Sequence, residues 1–561
     1  MKKRIFGLLL VAIMIIPMVL TGCQSSGYVS TRGSSATPYT ITIWCITDDK
    51  TTQDGIEAAE EAINSITEYD FNTHIELRLF SADEYENEVR SALDTMSMYY
   101  EEPEETESAE TTVNDDGEVE EVTESKVYVE RDKIVYPDST DYQCDILLID
   151  SVDFFAELVA NEDIQVLDGE LAGNSKAIYK YENPTLLAAG KDSMTGATYA
   201  IANNGAVSDA EYILLRKDIC DALYYEASDI HTLATLKEYA SDASSYGVTP
   251  VLDTYGVEPL YESMFEGDSF VGAYIGYKPS LATNAMPKAL GSVNKYTNEL
   301  GIISSMKSSG QLVSGEIGEN PTAAAILVKG NSADIAAYTD DYYVSYYKYP
   351  TASNENTCSS MWAVSTYTKD VSRCMEIVTY MQTNEDFINT FYYGKSGVNY
   401  ERDSKTGVVT ILNDEYSMDM RYVGNQFLIY QNDRMTESEL AFSEDSWAMA
   451  KEFNLNLIAS PYLGFSAEFT QVYYEDEEGM SEYTKDGSTS EFIAKFKEIS
   501  ASYAQKLASY TGSDIATYAA TLADEMSENY TVKAALSKKY TNSPFAKYVA
   551  WFKLNNAEET E

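Results

Sequence analysis

Polar side chains follow three apolar, β-prone runs of this chain, at the points where the runs end. Asp48 comes shortly after the run 41–46, Asp150 directly follows the run 144–149, and Asn203 and Asn204 follow the segment 195–202. In open parallel sheets, ligands bind beyond the carboxyl ends of the strands. Sugars combine hydroxyl rims with apolar CH faces, so Asn and Asp side chains together with aromatic rings suit them. This pattern predicts a site for a hydroxyl-rich solute if the runs are strands of one sheet.

Three aromatic residues are candidates for the apolar side of such a site, namely Trp44, Trp362 and Tyr400. Several candidates have a structural alternative. Trp44 and Trp362 also suit a buried core, and the apolar neighbours of Trp362 favour that role for it. The Asn pair at 203–204 would also satisfy a turn, and Asp150 is placed to cap a helix that follows it.

The sequence carries no recognisable catalytic or cofactor-binding motif. It lacks the Gly-x-x-x-x-Gly-Lys-Ser/Thr phosphate loop, Gly-x-Ser-x-Gly and His-Glu-x-x-His. Its two histidines, His74 and His231, argue against histidine-dependent catalysis and multi-histidine metal sites. A glycosidase pair cannot be recognised among 91 acidic residues. We therefore predict a protein that is not an enzyme and that holds no cofactor and no metal.

Strands and helices alternate along the first part of the chain. The runs 41–46, 75–80 and 144–149 are typical of buried strands, and helical periodicity follows the first of them at Ile56, Ala59 and Ile63. This alternation predicts an α/β fold with a mostly parallel sheet covered on both faces. An insert at about 101–141 interrupts it, and its twelve acidic residues between 101 and 124, with no Lys or Arg, predict a disordered loop.

The N-terminus resembles that of bacterial lipoprotein precursors. Lys2, Lys3 and Arg4 precede the apolar run 5–20, and the sequence Leu-Thr-Gly-Cys at 20–23 resembles the lipobox. The resemblance implies a signal peptide at 1–22, a lipid on Cys23, and a flexible tether over 23–38. The chain would then be anchored to the cell membrane on its extracellular face. The alternative is an ordinary signal peptide followed by an incidental cysteine.

The other five cysteines argue against disulfide and zinc sites, and the net charge argues against nucleic-acid partners. The cysteines at 45, 144, 220, 358 and 374 include no close pair and no Cys-x-x-Cys, so a disulfide framework or a zinc site has little support. The chain has 39 Lys and Arg against 91 Asp and Glu, for a formal net charge of −52. Such a surface repels nucleic acid, which we exclude as a partner, and disfavours strongly anionic ligands.

Several segments resemble, in the same order, the extracellular solute-binding proteins of ABC importers, of the family-1 sugar-binding type. The sequence Gly-Ala-Thr-Tyr-Ala-Ile at 196–201 resembles a G-x-x-Y-A-I-P strand that leads into the hinge, with Ala202 in place of proline. The sequence Tyr-Gly-Lys-Ser-Gly-Val-Asn-Tyr at 393–400 resembles the YG-x-x-G-x-x-Y element of Gram-positive members. The remaining similar segments are 39–44, 212–218, 323–330 and 361–374.

The resemblance implies an α/β, periplasmic-binding-protein-like type II fold, with two α/β lobes joined by a hinge and a cleft between them. We expect lobe 1 to comprise 39–203 and 346–400, and lobe 2 to comprise 204–345 and 401–561. It also implies that the protein captures a small solute, most simply a carbohydrate or oligosaccharide, and delivers it to the permease subunits of an ABC transporter. The lobes would close over the solute.

Three rival functions remain open from sequence. A surface-anchored glycoside hydrolase would share the anchor and the aromatics, but it needs two carboxylates at catalytic separation. A binding protein for peptides would need a charged pocket that holds both peptide termini. A surface adhesin would show repeats or sandwich-like strand spacing, and the sequence shows neither.

Overall fold

The computed structural model describes residues 32–33, 35–99, 108–113, 119–124, 140–192, 195–205, 208–265, 268–276, 286–318, 321–432, 457–465, 473–476, 479–482, 489–536, 545–546 and 548–549. The predicted signal peptide, the predicted lipidation site Cys23 and most of the acidic insert lie outside these residues.

The described strands are short, and ten of them form two five-stranded sheets. In chain order they are β1 (Tyr39–Ile46), β2 (Thr73–Phe80), β3 (Ser108–Val113), β4 (Val119–Glu124), β5 (Ile146–Ile149), β6 (Ala200–Ala202), β7 (Ala210–Arg216), β8 (Val251–Asp253), β9 (Tyr261–Ser263), β10 (Val271–Tyr274), β11 (Lys288–Ala289), β12 (Leu312–Ser314), β13 (Ala325–Gly330), β14 (Tyr342–Lys348), β15 (Thr351–Ala352), β16 (Met361–Val364), β17 (Tyr400–Arg402), β18 (Val409–Ile411), β19 (Ile458–Ala459), β20 (Tyr473–Asp476) and β21 (Gly479–Glu482).

The described helices cover these sheets or pack near the C-terminus. They are α1 (Gln53–Phe71), α2 (Ala82–Tyr99), α3 (Val152–Ala160), α4 (Asp168–Ala172), α5 (Ile178–Tyr181), α6 (Pro184–Leu187), α7 (Lys217–Ala222), α8 (Leu233–Ala243), α9 (Asn294–Ser308), α10 (Ser332–Ala336), α11 (Asn354–Thr357), α12 (Val371–Thr383), α13 (Glu385–Tyr393), α14 (Thr489–Ala508), α15 (Ile515–Ser527) and α16 (Tyr530–Ala535). No helix in the described ranges is both long enough and apolar enough to cross a bilayer.

The first sheet has the strand order β2-β1-β5-β16-β6. β1 pairs in parallel with β2 and β5, whereas β16 runs antiparallel to both β5 and β6. Helices cover both faces, which explains why β5 is apolar at every position and buried throughout. This sheet and its helices form the first lobe.

The second sheet has the order β12-β8-β13-β7-β14. β8 is parallel to β12 and β13, and β7 is antiparallel to β13 and β14. Apolar side chains on its two faces form two clusters, one around Leu215 and Leu327 and the other around Leu214 and Ile326. This sheet and its helices form the second lobe.

Three segments of the described chain connect the lobes and are bonded to one another. The first, described at 203–205 and 208–209, follows β6 and precedes β7. The second, 349–360, leads from β14 to β16. The third, 457–465, contributes apolar residues to the first core and to the C-terminal cluster. Thr351 N donates to Ser208 Oγ at 3.2 Å. Asn354 Nδ2 donates to the carbonyl of Phe465 at 2.8 Å. Two α/β lobes joined by several chain passages match the predicted fold class.

The boundary between the lobes differs from the prediction in two places. β14 continues to Lys348 in the second sheet, so 346–348 belong to the second lobe. The segment 401–432, predicted for the second lobe, packs on the first core through Val409, Tyr416 and Val423. The reason is local: the Tyr416 hydroxyl donates to the carbonyl of Phe391 in α13 at 2.8 Å, and both residues are buried.

The acidic insert also differs from its prediction where it is described. β3 and β4 within it pair as an antiparallel hairpin instead of a disordered loop. The β-branched residues of the two strands, including Thr111, Val113, Val119 and Val122, favour extended backbone despite the acidic composition.

The C-terminal helices dock on the second lobe beside a buried carboxyl group. Asp268 is 2% exposed and accepts hydrogen bonds from the backbone nitrogens of Phe270 at 2.7 Å and Val271 at 3.0 Å. The next residue, Ser269, donates its backbone N–H to Ser500 Oγ of α14 at 2.7 Å. Burial raises the pKa of Asp268 from 3.8 to about 7.

We expect Asp268→Asn to flatten the pH dependence of stability between about pH 4 and pH 7. The unfolded chain releases this proton near pH 4 but the folded chain keeps it to about pH 7, so the wild-type free energy of unfolding falls as the pH rises through this window. The variant lacks the titrating group, and its stability relative to wild type should rise across the same window. Urea unfolding at intervals from pH 4 to pH 8 measures the difference.

The matched control is Asp403→Asn in an exposed turn. Backbone hydrogen bonds from Thr406 and Lys405 lower the pKa of Asp403. The contribution of Asp403 to the free energy of unfolding is therefore present at neutral pH and is lost only as the pH falls below the usual pKa of an aspartate. A stability difference for Asp268→Asn that stays constant from pH 4 to pH 8 would contradict the prediction.

Candidate functional site

The four polar residues predicted for the site lie at one edge of the first sheet. Since β16 is antiparallel to both β5 and β6, β6 is parallel to β5 and β1, and the carboxyl ends of all three strands meet there. Asp48 follows β1, Asp150 follows β5, and Asn203 and Asn204 follow β6. This edge faces the connections to the second lobe.

Residues 415–426, which we refer to as the strap, pass across this edge. The strap begins beside β1, where Ser417 Oγ donates to Asp48 Oδ2 at 2.5 Å and the Ser417 carbonyl accepts from Thr47 Oγ1 at 2.7 Å. The carbonyl of Glu415 accepts the backbone N–H of Thr52, the residue that caps α1, at 2.8 Å. Asp48 is therefore an anchor for the strap, although the residue itself is exposed.

The middle of the strap is bonded to Asn203. Asn203 Nδ2 donates to the carbonyl of Arg421 at 2.9 Å and to Ser360 Oγ at 2.8 Å. Its Oδ1 accepts from Gln382 Nε2 at 3.0 Å. Asn203 is only 3% exposed. Through these hydrogen bonds its amide joins the first chain passage to the second passage and to the strap.

The end of the strap is bonded to α12 and to Asn204. The backbone N–H of Asn425 donates to the carbonyl of Met381 at 2.9 Å, and that of Gln426 donates to the carbonyl of Asn204 at 2.8 Å. The Asn204 side chain is used elsewhere, donating to the carbonyl of Tyr181 at 2.7 Å.

Asp150 lies beneath the strap in a poorly solvated position. Burial and the nearby carboxylate of Glu86 raise the pKa of Asp150 to about 6. Its negative charge contributes in turn to the raised pKa of Tyr422 on the strap, for which burial is the main cause. The helix cap that Asp150 was placed to supply comes from Ser151, whose Oγ accepts from the N–H of Phe154 at 3.1 Å.

The three aromatic candidates are buried in the core of the first lobe, the position that the structural alternative gave to Trp44 and Trp362, and a ligand contact by any of them stays a prediction. Trp362 is 0% exposed and lies 6.1 Å from the Phe391 ring, because β16 is covered on both faces. Trp44 is 3% exposed, stacks 5.1 Å from the Phe80 ring and donates from Nε1 to the carbonyl of Gln143 at 2.7 Å. Tyr400 is buried, and its ring centroid lies 5.3 Å from that of Tyr393.

A polar pocket of about 490 Å³ lies between the two lobes, beside the strap. The first lobe, the strap and the chain passages contribute Asn203, Ser208, Ser353, Asn356, Thr357, Ser359, Ser360, Arg421 and Gln426. The second lobe contributes Asp209, Glu211, Lys329 and Lys348. Of the residues predicted from sequence, Asn203 lines this pocket and the other six do not.

Two charged groups of the second-lobe side, Lys348 and Glu211, have partners on the rim of the pocket. Lys348 pairs with Glu262 at 2.8 Å, and Glu211 accepts a hydrogen bond from the Tyr255 hydroxyl at 2.7 Å. Burial raises the pKa values of Asp209 and Glu211, and the positive charge of Lys329 partly offsets this. In the part of the chain that is described, no three His, Cys, Asp or Glu side chains are grouped as a metal site requires.

Sequence reasoning missed the strap and the second-lobe side of the pocket. Glu211 offered a signal, since a carboxylate beside the apolar run 212–215 of β7 requires a compensating environment. Residues 415–426 have no helical or strand periodicity, and their partners, such as Asp48, are several hundred residues away in sequence.

Comparison with known proteins addresses the fold. No protein-family model matches the chain. A carbohydrate ABC transporter substrate-binding protein from Streptococcus pneumoniae serotype 4 (strain ATCC BAA-334 / TIGR4) is 30% identical over 117 residues, which are 20% of this chain and 22% of that protein. The chain thus matches about a fifth of the length of this curated relative.

The solved structure of the N-glycan transport solute binding protein (NgtS) from Streptococcus pneumoniae covers much more of the chain. It superimposes with a TM-score of 0.50 at 13% identity, over 92% of this chain and 100% of that one. The likeness confirms the predicted fold: this chain has the two-lobe α/β fold of solute-binding proteins.

Proposed function

We propose that this chain is an extracellular solute-binding lipoprotein that captures a carbohydrate between its lobes and delivers it to the permease of an ABC importer. The observation that carries the proposal is the polar pocket of about 490 Å³ between two α/β lobes that several chain passages connect. Pockets of this order hold small molecules, and a cleft between hinged lobes can close over them.

The lining suits a hydroxyl-rich solute. Most of the first-lobe side consists of amide and hydroxyl side chains, such as Asn356, Thr357 and Ser359, which both donate and accept hydrogen bonds. The two similar proteins, a carbohydrate ABC transporter substrate-binding protein and an N-glycan transport solute binding protein, support a saccharide as the ligand class.

Lipidation at Cys23 would place the protein on the extracellular face of the cell membrane, close to its permease. The anchor rests on the lipobox-like sequence at 20–23, and the tether 23–38 would leave the lobes free to dock. The net charge of −52 supports a partner other than nucleic acid.

Binding without bond cleavage fits the placement of the pocket carboxylates better than glycoside hydrolysis does. Asp209 directly precedes β7 and Glu211 is the second residue of that strand, so both carboxylates approach the pocket from the second-lobe side. A glycosidase instead places its two carboxyl groups on either side of the scissile bond.

A peptide is the second candidate ligand, because the pocket contains charges of both signs. Lys329 and Lys348 could hold a C-terminal carboxylate, and Asp209 could hold an N-terminal amine. Lys348 is already paired with Glu262, however, which weakens it as a peptide clamp.

Thermal-shift and calorimetric titration of the chain from Tyr39 tests the proposal. The probes are neutral hexasaccharides of glucose, mannose and xylose, a high-mannose N-glycan, and a hexapeptide mixture. A saccharide at about 100 times its Kd should stabilise the protein by about 2.7 kcal/mol, and it should be recovered intact. Binding of peptides alone, or release of reducing sugar, would overturn the proposal.

A further inference from the structure

Arg421 on the strap is oriented before any ligand arrives. Its Nη2 lies 2.7 Å from Asp419 Oδ2, and its Nε lies 3.0 Å from the same oxygen and 3.2 Å from Asp419 Oδ1. The guanidinium also lies over the Tyr422 ring, 5.3 Å from the centroid. A carboxylate on one side and an aromatic face on the other restrict the rotation of this side chain.

The backbone of Arg421 is fixed as well. Its carbonyl accepts hydrogen bonds from Asn203 Nδ2 and from Ser360 Oγ, and its N–H donates to Asp419 Oδ1 at 2.9 Å. Both Asn203 and Ser360 line the pocket between the lobes, as Arg421 itself does. A fixed backbone and a restricted side chain reduce the entropy that ordering would cost on binding.

The side chain is nonetheless available to a ligand. Its exposed fraction is 63%, and within the described residues its Nη1 has no hydrogen-bond acceptor at bonding distance. The strap covers the sheet edge, where Asp48, Asn203 and Asn204 hold it. The strap therefore contributes to the first-lobe side of the pocket, and Arg421 is the cationic donor on that side.

The charges around the pocket are nearly balanced. The charged lining consists of Lys329, Lys348, Arg421, Asp209 and Glu211. Glu262 and Asp419 are paired with two of these cations, at 2.8 Å and 2.7 Å. Three positive and four negative groups leave a net charge of −1 within a chain of −52. A pocket with this net charge does not attract an anionic ligand. Its charged side chains can still donate hydrogen bonds to neutral hydroxyl groups or accept hydrogen bonds from them.

We propose that Arg421 is the central first-lobe contact of a neutral saccharide, donating from Nη1 to a ligand oxygen while Asp419 and Tyr422 hold the guanidinium in place. The inference rests on the proposed function and specifies the residue and the ligand class. The inference places the main first-lobe contact in the strap, which lies outside the segments that resemble solute-binding proteins in sequence.

The test compares Arg421→Met with Arg216→Met by calorimetric titration of the neutral hexasaccharides and of hexagalacturonate. Arg216 is the matched control, because it forms the same kind of pair with an aspartate two residues away, Asp218, at 2.7 Å, and does not line the pocket. We expect Arg421→Met to weaken neutral saccharide binding by about tenfold or more, since a charge-assisted hydrogen bond is lost. Arg216→Met should leave the affinity unchanged, and hexagalacturonate should not bind.

Each outcome separates this inference from the proposed function. Saccharide binding by wild type with equal affinity for Arg421→Met would overturn the inference and leave the proposed function standing. Tighter binding of hexagalacturonate than of the neutral sugars would overturn the neutral ligand class. If wild type binds only peptides, the proposed function fails, and with it the saccharide contact of Arg421. Melting temperatures of the unliganded variants within a few degrees of wild type exclude misfolding as the cause.

Discussion

Gly424→Ala is expected to displace the strap and abolish saccharide binding. Gly424 has φ = 118°, a backbone conformation that alanine rarely adopts, and an added Cβ would lie 2.0 Å from the carbonyl oxygen of Met381. The same carbonyl accepts the N–H of Asn425, so the strap cannot move away from α12 without losing that bond. Backbone strain and overpacking together should cost about 3 kcal/mol. Urea unfolding and calorimetric titration measure the two effects.

Gly407→Ala is the matched control for this substitution. Gly407 also has a positive φ, 74°, but its nearest contact for an added Cβ is the flexible end of Arg402 at 3.6 Å. Its cost should be about 1 kcal/mol, without loss of affinity. Wild-type saccharide affinity in Gly424→Ala would show that the strap does not shape the site.

Trp362→Ala is expected to destabilise the first lobe by about 4 kcal/mol while the remaining folded protein keeps its saccharide affinity. The indole is fully buried among Phe391 and other residues of the first core, so its removal leaves a cavity. Unfolding by urea measures the loss, and titration at low temperature measures the affinity.

Trp362→Phe provides the comparison for Trp362→Ala. It keeps most of the buried area, and it removes an indole N–H for which no hydrogen-bond acceptor lies within the described residues. The loss of stability should therefore be smaller than for alanine. A large fall in saccharide affinity with little change in stability, for either variant, would indicate that Trp362 contacts the ligand.

The parts of the fold that sequence could predict are those encoded by local pattern. The apolar runs that become β1 and β5 and the helical stripe of α1 are visible within windows of a few residues. The placement of Asp48, Asp150, Asn203 and Asn204 at one sheet edge follows from strand direction alone. Strand direction does not tell whether a ligand can reach that edge, because the strap that crosses it comes from a distant part of the chain.

The burial of the aromatic residues could not be predicted from sequence for a related reason. Trp362 lies in a strand covered on both faces, where every side chain is buried whichever way it points. Trp44 lies in β1 among residues that are buried from Ile41 to Ile46. A sequence pattern identifies such residues as apolar and strand-forming, but the number of covered faces depends on tertiary packing.

A crystal structure of the chain with a bound neutral oligosaccharide tests the central claim most directly. We predict an intact saccharide between the lobes, with Arg421 of the strap on one side and the β7 end of the second lobe on the other. A saccharide on the outer surface of either lobe, or a cleaved product in the cleft, would contradict this account.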